Sequence, residues 1–194
     1  MEAVAILAAA GRLVVGKTNH NSMKLKSITR FFRHLVSNIW QVQWHFSASA
    51  LHNIEQAIQA NEQLHLGEIR FIVEAGLHPM EILYKKTAKE RAIELFGQFN
   101  IWDTKHNNGI LIYLLLADRN VEIVADRGIH QYVGNAGWER ICQQMEFSFK
   151  QGYFEAGVQQ GIAGIGALLE THFPNSASNR TQKTNELPNA PIIL

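Results

Sequence analysis

The stretch Asn107–Gly128, NNGILIYLLLADRNVEIVADRG, constrains the fold of this chain more than any other. Ile110 to Leu116 is a near-continuous apolar run, the pattern of a strand buried on both faces. Ala117-Asp118-Arg119-Asn120 is polar enough to turn the chain. Val121 to Asp126 then alternates, which suits a hairpin partner nearer a sheet edge. A strand buried on both faces needs a layer above it and a layer below it, so the other elements are expected to pack on this hairpin.

Those elements can be read in turn. Ser47 or Ser49 is placed to cap a helix whose apolar face runs through Leu51, Ile54, Ala57 and Ile58 and ends near Gly67. Glu68-Ile69-Arg70-Phe71-Ile72-Val73-Glu74 alternates charged with apolar side chains and predicts the first strand. Gly76 to Lys86, holding Pro79, reads as a loop. Thr87-x-x-Glu90 is a capping box opening a helix through Ala92, Leu95 and Phe96. Strand, helical crossover and strand make a parallel pair, to which the hairpin adds an antiparallel neighbour. Beyond Gly137 two helices follow, one marked by Trp138, Ile141 and Met145, the other running from Phe154 to Phe173. The second carries Gly157, Gly161, Gly164 and Gly166. Each costs a helix about 1 kcal/mol relative to alanine, so they are expected where another backbone comes close. The fold class that follows is α/β, a three-layer α/β/α sandwich with a mixed sheet of about four strands.

A chain of 194 residues accommodates one such domain with extensions at both ends. The domain is expected over 47–173, preceded by a basic amphipathic segment, 23–46, and by residues 1–22, which are expected to be dispensable. Met23 reads as a natural start. Residues 174–194, rich in Asn, Ser, Thr and Pro, read as a disordered tail, so the part from Met23 to Pro174 is expected to melt cooperatively by itself. The apolar stretch Ala3–Ala10 lacks a basic start and is too short to span a bilayer. Cys142 is the one cysteine, which rules out an internal disulfide and suits a reducing, cytoplasmic location.

The formal net charge is +1, which gives no reason to expect a nucleic-acid partner. The distribution says more than the sum. No acidic residue lies between Ala3 and Ile54, whereas Lys24, Lys26, Arg30 and Arg33 all do. At helical spacing Ile28, Phe31, Phe32, Leu35, Val36 and Ile39 form one stripe, followed by Trp40 and Trp44. Such a stripe either covers the core or meets a partner or an anionic membrane, with Lys24, Lys26, Arg30, Arg33, Trp40 and Trp44 as the contact residues.

Catalytic motifs are sparse. There is no HExxH pair, no Cys/His set with zinc spacing, no Gly-rich phosphate loop and no Gly-x-Ser-x-Gly elbow. Asp103 to Gly109 is a polar cluster beside the buried strand. It fails as an EF-hand, since Lys105 and Asn108 stand where an oxygen ligand and a glycine are needed. Asp118 and Asp126 sit at opposite ends of the second hairpin strand, so they cannot share one ion. Asp126 and Asn135, with Asp103 reaching in from the preceding loop, are the candidate metal ligands, set against the reading that these are solvated charges.

Ile101-Trp102-Asp103, Asn107-Asn108-Gly109-Ile110-Leu111, Ala117-Asp118-Arg119, Val121-Glu122-Ile123 with Gly128, and Phe149-x-x-Gly152-Tyr153-Phe154-x-x-Gly157 together resemble the TPM domain over roughly Ser47 to Phe173. The resemblance implies an α/β/α sandwich. It also implies, for some plant members, acid phosphatase activity or photosystem repair, and for others a bound divalent metal such as calcium. This chain departs from the family's secreted members in two places. Phe46-Ser47-Ala48-Ser49 replaces an Asp-containing motif, and His130 and Asn135 align with carboxylates. The expectation is therefore a non-enzymatic accessory or interaction module at the inner face of a membrane. Its alternative is a weak phosphatase dependent on Ca²⁺ or Mg²⁺.

Overall fold

The computed structural model describes residues 20–175 and 185–194, with side chains described from residue 28 onward. Four strands form one mixed sheet: β1 (Glu68–Glu74), β2 (Gly109–Leu115), β3 (Asn120–Ala125) and β4 (Ile192–Ile193), in the order β3-β2-β1-β4. β1 pairs in parallel with β2 from Glu68↔Gly109 to Glu74↔Leu115. β2 and β3 form the expected antiparallel hairpin, with Ile112 opposite Ile123. Every residue of β1 and β2 is buried, whereas β3 is mostly half-buried, as its alternation suggested.

Seven helices accompany the sheet among the described residues: α1 (His20–Val36), α2 (Ile39–His45), α3 (Ala48–Glu62), α4 (Pro79–Leu83), α5 (Ala88–Gln98), α6 (Arg127–Lys150) and α7 (Phe154–His172). One face of the sheet meets α3, α6 and α7, where Ile54, Ile58, Met145, Phe149, Val158 and Ile165 pack on Ile69, Phe71, Ile110 and Ile112. The other face meets α4 and α5, where Ile82, Ala92 and Leu95 pack on Ile72, Leu111 and Tyr113. These are the three layers the sequence predicted. Ser47 caps α3 by accepting from Ala50 N, and the Thr87/Glu90 capping box opens α5. The glycines of α7 lie at close packing contacts, but side chains rather than another backbone fill the space: a Cβ at Gly161 would run into the Met145 thioether of α6, and one at Gly166 into Asn61 of α3.

Several boundaries differ from the sequence reading. The 76–86 loop contains α4, capped reciprocally by His78 and Glu81 with Pro79 at its first turn, a helix too short to show periodicity. α6 begins at Arg127, capped by Asp126, and kinks at Gly134 (φ 67) before the run that was legible beyond Gly137. The division between residues 22 and 23 falls inside α1, and residues 1–19 lie outside the described residues.

The largest correction concerns the tail. Residues 185–194 are not disordered: Ile192 and Ile193 pair in parallel with Ile72 and Val73, and Leu187 is buried. The polar composition that suggested disorder holds three well-spaced apolar anchors, Leu187, Ile192 and Leu194, all packed on the second core.

Candidate functional site

Two polar regions lie at opposite edges of the sheet. The first is at the carboxyl ends of β1 and β2, where the chain leaves β2 through a 3₁₀ turn, Leu116–Asp118, tied back by Ala117 N donating to Ala75 O at 3.0 Å. Arg119 then takes a left-handed conformation (φ 48), uncommon for a side chain of its size. The turn holds Asp118 beneath α1. Arg30 Nε donates to Asp118 Oδ2 at 2.9 Å, Arg33 Nη2 donates to Oδ1, and His34 Nε2 approaches Oδ1 at 3.1 Å.

His34 is fully buried, and its Nδ1 accepts from Leu77 N at 2.9 Å, which leaves Nε2 as the nitrogen facing Asp118. That approach is close but too oblique to be an aligned hydrogen bond. Burial alone would raise the Asp118 pKa. The close contacts with His34 and Arg30 outweigh it and hold the carboxyl well below its usual range. Arg30 Nη2 also donates to Lys86 O at 3.0 Å, so one side chain ties α1 to two parts of the domain.

The clamp fixes which face of α1 looks outward. Phe31 turns toward the core, as do Val42 and Phe46 below it, while Ile28, Phe32, Leu35, Val36 and Ile39 remain largely exposed. Trp40 is 74% exposed and Trp44 87%, far more than isolated surface apolar residues require. The band continues onto α4. A cavity of about 400 Å³ between the two helices is lined by Ile28, Phe31, Phe32, Ile82 and Leu83, and Tyr84 lies exposed beside it. The part played by α4 was invisible in the sequence because Leu83 and Tyr84 have no periodic neighbours.

Between α2 and the β2 turn lies a second cavity, of about 350 Å³, lined by Arg33, Gln41, Trp44, His45, Arg119 and Phe154, among others. His45 packs at a tilt of 42° against Phe154 with centroids 4.2 Å apart, and the Arg119 guanidinium lies 5.9 Å above the same ring. Burial, and then the charge of Arg119, push the His45 pKa down and favour its neutral form.

The candidate metal residues belong to the opposite edge. Asp126 N donates to Gly109 O at 2.9 Å, which brings the end of β3 beside the start of β2. The 103–108 loop presses on the start of α6 so closely that a Cβ at Gly128 would collide with Asn107 O. Asp103 and Asp126 thus share one sheet edge. Their environments differ: Asp103 is exposed, whereas Asp126 Oδ1 accepts from Arg127 N at 2.6 Å and its Oδ2 is buried without a hydrogen-bond partner. Asn135 is exposed, just past the α6 kink. Much of the loop's polarity serves the loop itself, with Asn108 N donating to Thr104 Oγ1 at 3.0 Å and Lys105 N to Glu186 Oε2 at 2.9 Å.

A hard cation takes about 6–8 oxygens. Among the described residues no three His, Cys, Asp or Glu side chains stand together as a cation cage, and the acceptors at this edge that are both buried and free are two, Asp126 Oδ2 and the neutral Asn108 Oδ1. The residues present do not fit a resident ion. Of the residues expected to meet a membrane or a partner, Lys24 and Lys26 have side chains outside the described residues, and Arg30 and Arg33 are engaged by Asp118.

These features define a class: a mixed-sheet α/β/α sandwich with an apolar helical face fixed to the carboxyl edge of its sheet by a charged clamp. The chain belongs to the TPM domain family, whose model matches residues 43–168. It is similar to the solution structure of the BA42 protein of the psychrophilic bacterium Bizionia argentinensis, with 29% identity and a TM-score of 0.67, covering 77% of this chain and 95% of that one. The fold alone is shared with the N-terminal domain of a P. gingivalis protein, at 19% identity and a TM-score of 0.53, covering 66% of this chain and 78% of the other. No functionally curated protein matches the chain.

Proposed function

We propose that this protein is a non-enzymatic accessory module that docks, through α1 and α2, peripherally on the anionic cytoplasmic face of a membrane. The observation that carries this reading is the continuous exposed apolar face of Ile28, Phe32, Leu35, Val36, Ile39, Trp40 and Trp44, held in one orientation by the Asp118 clamp. Indole rings at the exposed end of an amphipathic helix suit the interface between headgroups and acyl chains. No helix among the described residues is long and apolar enough to cross a membrane, so the contact would lie on the surface. Charge has a smaller share in this mode than the sequence suggested. The clamp carries two guanidinium groups against one carboxylate and stays net positive, while each further basic residue near an anionic leaflet contributes about 1 kcal/mol.

The test is co-sedimentation of the full chain with vesicles. Wild type is expected to pellet with phosphatidylserine-containing vesicles and to stay in the supernatant with neutral ones. Trp40→Ser with Trp44→Ser, both on exposed positions, is expected to abolish pelleting without changing the melt. Recovery of the double variant in the pellet at wild-type levels would falsify the proposal.

The second reading, a divalent-metal-assisted phosphatase, is favoured by two unpartnered buried oxygens at one edge, Asp126 Oδ2 and Asn108 Oδ1. With so few oxygens at that edge, calorimetric titration with Ca²⁺ is expected to give no binding at micromolar affinity, and Asn135→Asp is expected to strengthen whatever binding exists. Micromolar binding by the wild type would move the reading from docking module toward enzyme.

A further inference from the structure

The outer edge of β1 would be an open row of backbone donors and acceptors if residues 185–194 did not cover it. The cover is specific. Leu194 N donates to Val73 O at 2.9 Å and Ala75 N donates to Leu194 O at 3.1 Å, which extends the two residue pairs of β4. Two carboxylates, each at most 3% exposed, receive the same segment. Glu68 Oε2 accepts from Glu186 N at 3.3 Å and from Leu187 N at 3.4 Å, while Glu62 Oε2 accepts from Asn189 Nδ2 at 3.0 Å. Arg70 lies beside them with Nη1 buried and unpartnered. Strand pairing, apolar pockets for Leu187, Ile192 and Leu194, and acidic acceptors for backbone N–H groups are the elements of peptide recognition by strand addition.

From this arrangement we infer that the β1 edge, with Glu62 and Glu68, is a peptide-docking groove, filled in cis by residues 185–194, that the same segment of a second copy of this chain can fill in trans. Three observations support exchange. The strand contact spans two residue pairs, so local opening costs much less than global unfolding. An emptied groove removes the hydrogen bonds that residues 186, 187 and 189 donate to the buried Glu68 and Glu62, so refilling is favoured. The nine residues 176–184 that precede the segment span up to about 30 Å when extended, enough to reach a neighbouring copy. The segment fits its own groove, so its counterpart from an identical chain fits as well, and reciprocal exchange closes a two-fold dimer. The inference is independent of membrane docking, which involves other residues.

The experiment uses the full chain with Leu187→Asp, which weakens the cis segment and leaves the groove intact, and a fluorescent peptide with the sequence of residues 185–194. The variant is expected to bind the peptide at least roughly tenfold more tightly than wild type, in which the tethered segment competes at high effective concentration. A scrambled peptide is expected not to bind. Concentrated wild type is expected to elute partly as a dimer, which excess peptide dissociates. Asn189→Ala, a milder change, repeats the binding test. A folded variant that ignores the peptide, equal binding of the scrambled sequence, or a wild type that is monomeric at every concentration overturns the inference. So does loss of the cooperative melt in both variants, because the segment would then be part of the core and the groove would have no empty form.

Discussion

Replacing Asp118 by Ala is expected to destabilise the protein by about 3 kcal/mol and to release α1 from the domain, because it strands two guanidinium groups and the buried His34 ring around a position shielded from water. Asp118 pairs with Arg30 and Arg33, and His34 beside it is fully buried. The loss belongs at the low end for a broken buried pair because the Arg33 side chain is 53% exposed and rehydrates easily. Urea unfolding checks the magnitude, and limited proteolysis within α1 checks the location. Asp118→Asn keeps the shape and removes the charge, and is expected to recover only part of the loss.

The same pairing fixes the sign of the pH dependence. The Asp118 pKa is lowered in the folded state, so its contribution is fully present above the unfolded carboxyl value of about 3.9 and is lost as pH falls from there toward the depressed value. α1 should therefore stay docked at pH 5 and loosen only in stronger acid. Release at pH 5 would mean that another group controls the contact.

The second large effect is expected at Glu74, on the α5 face of the sheet. Arg91 grips its carboxylate with both arms of the guanidinium, Nε to Oε2 at 3.0 Å and Nη2 to Oε1 at 2.9 Å, and the Tyr113 hydroxyl donates to Oε2 at 2.6 Å. Tyr113 is fully buried. Burial and then the Glu74 charge push its pKa far up, so the hydroxyl stays protonated and needs an acceptor. Glu74→Ala leaves the guanidinium and the hydroxyl unsatisfied and is expected to cost about 4 kcal/mol, a fall in melting temperature of roughly 10 °C for a domain of this size. Tyr113→Phe removes the donor along with its need and is expected to cost only about 1 kcal/mol. Equal losses for the two variants would mean that the hydroxyl, not the charge network, holds this region.

The layers of this fold were legible because they rest on period and punctuation. Ile110–Leu116 could only be a strand buried on both faces, and Thr87 with Glu90 announced the crossover helix. The burial of the β1 charges was not legible, for a physical reason. Glu68, Arg70 and Glu74 alternate with apolar residues as they would on a solvent-facing strand, yet all are buried. Their cover comes from Arg91 in α5 and from residues 185–194, partners remote in sequence whose own composition carries no sign of pairing. The clamp was hidden likewise. Arg30 and Arg33 read as free basic residues because Asp118 is 88 and 85 residues away, and no local spacing relates them. The apolar stripe running on to Trp40 and Trp44 was legible from its helical spacing, but its exposure was not, because the same spacing suits a helix that covers the core. The metal residues were placed at a common edge by strand register alone, which says where loops meet but not which oxygens are already bound.

The distinction between α1–α2 as a cover and α1–α2 as a docking face comes down to whether Trp40 and Trp44 enter lipid. Quenching of tryptophan emission by brominated lipid reports that contact directly. In Trp102→Phe, with the exposed indole outside the docking face removed and Trp138 buried in the core, emission is expected to be quenched by anionic vesicles carrying brominated chains. Quenching should vanish when Trp40 and Trp44 are also changed to Phe. Emission that the brominated vesicles leave unchanged in Trp102→Phe would contradict membrane docking through this face.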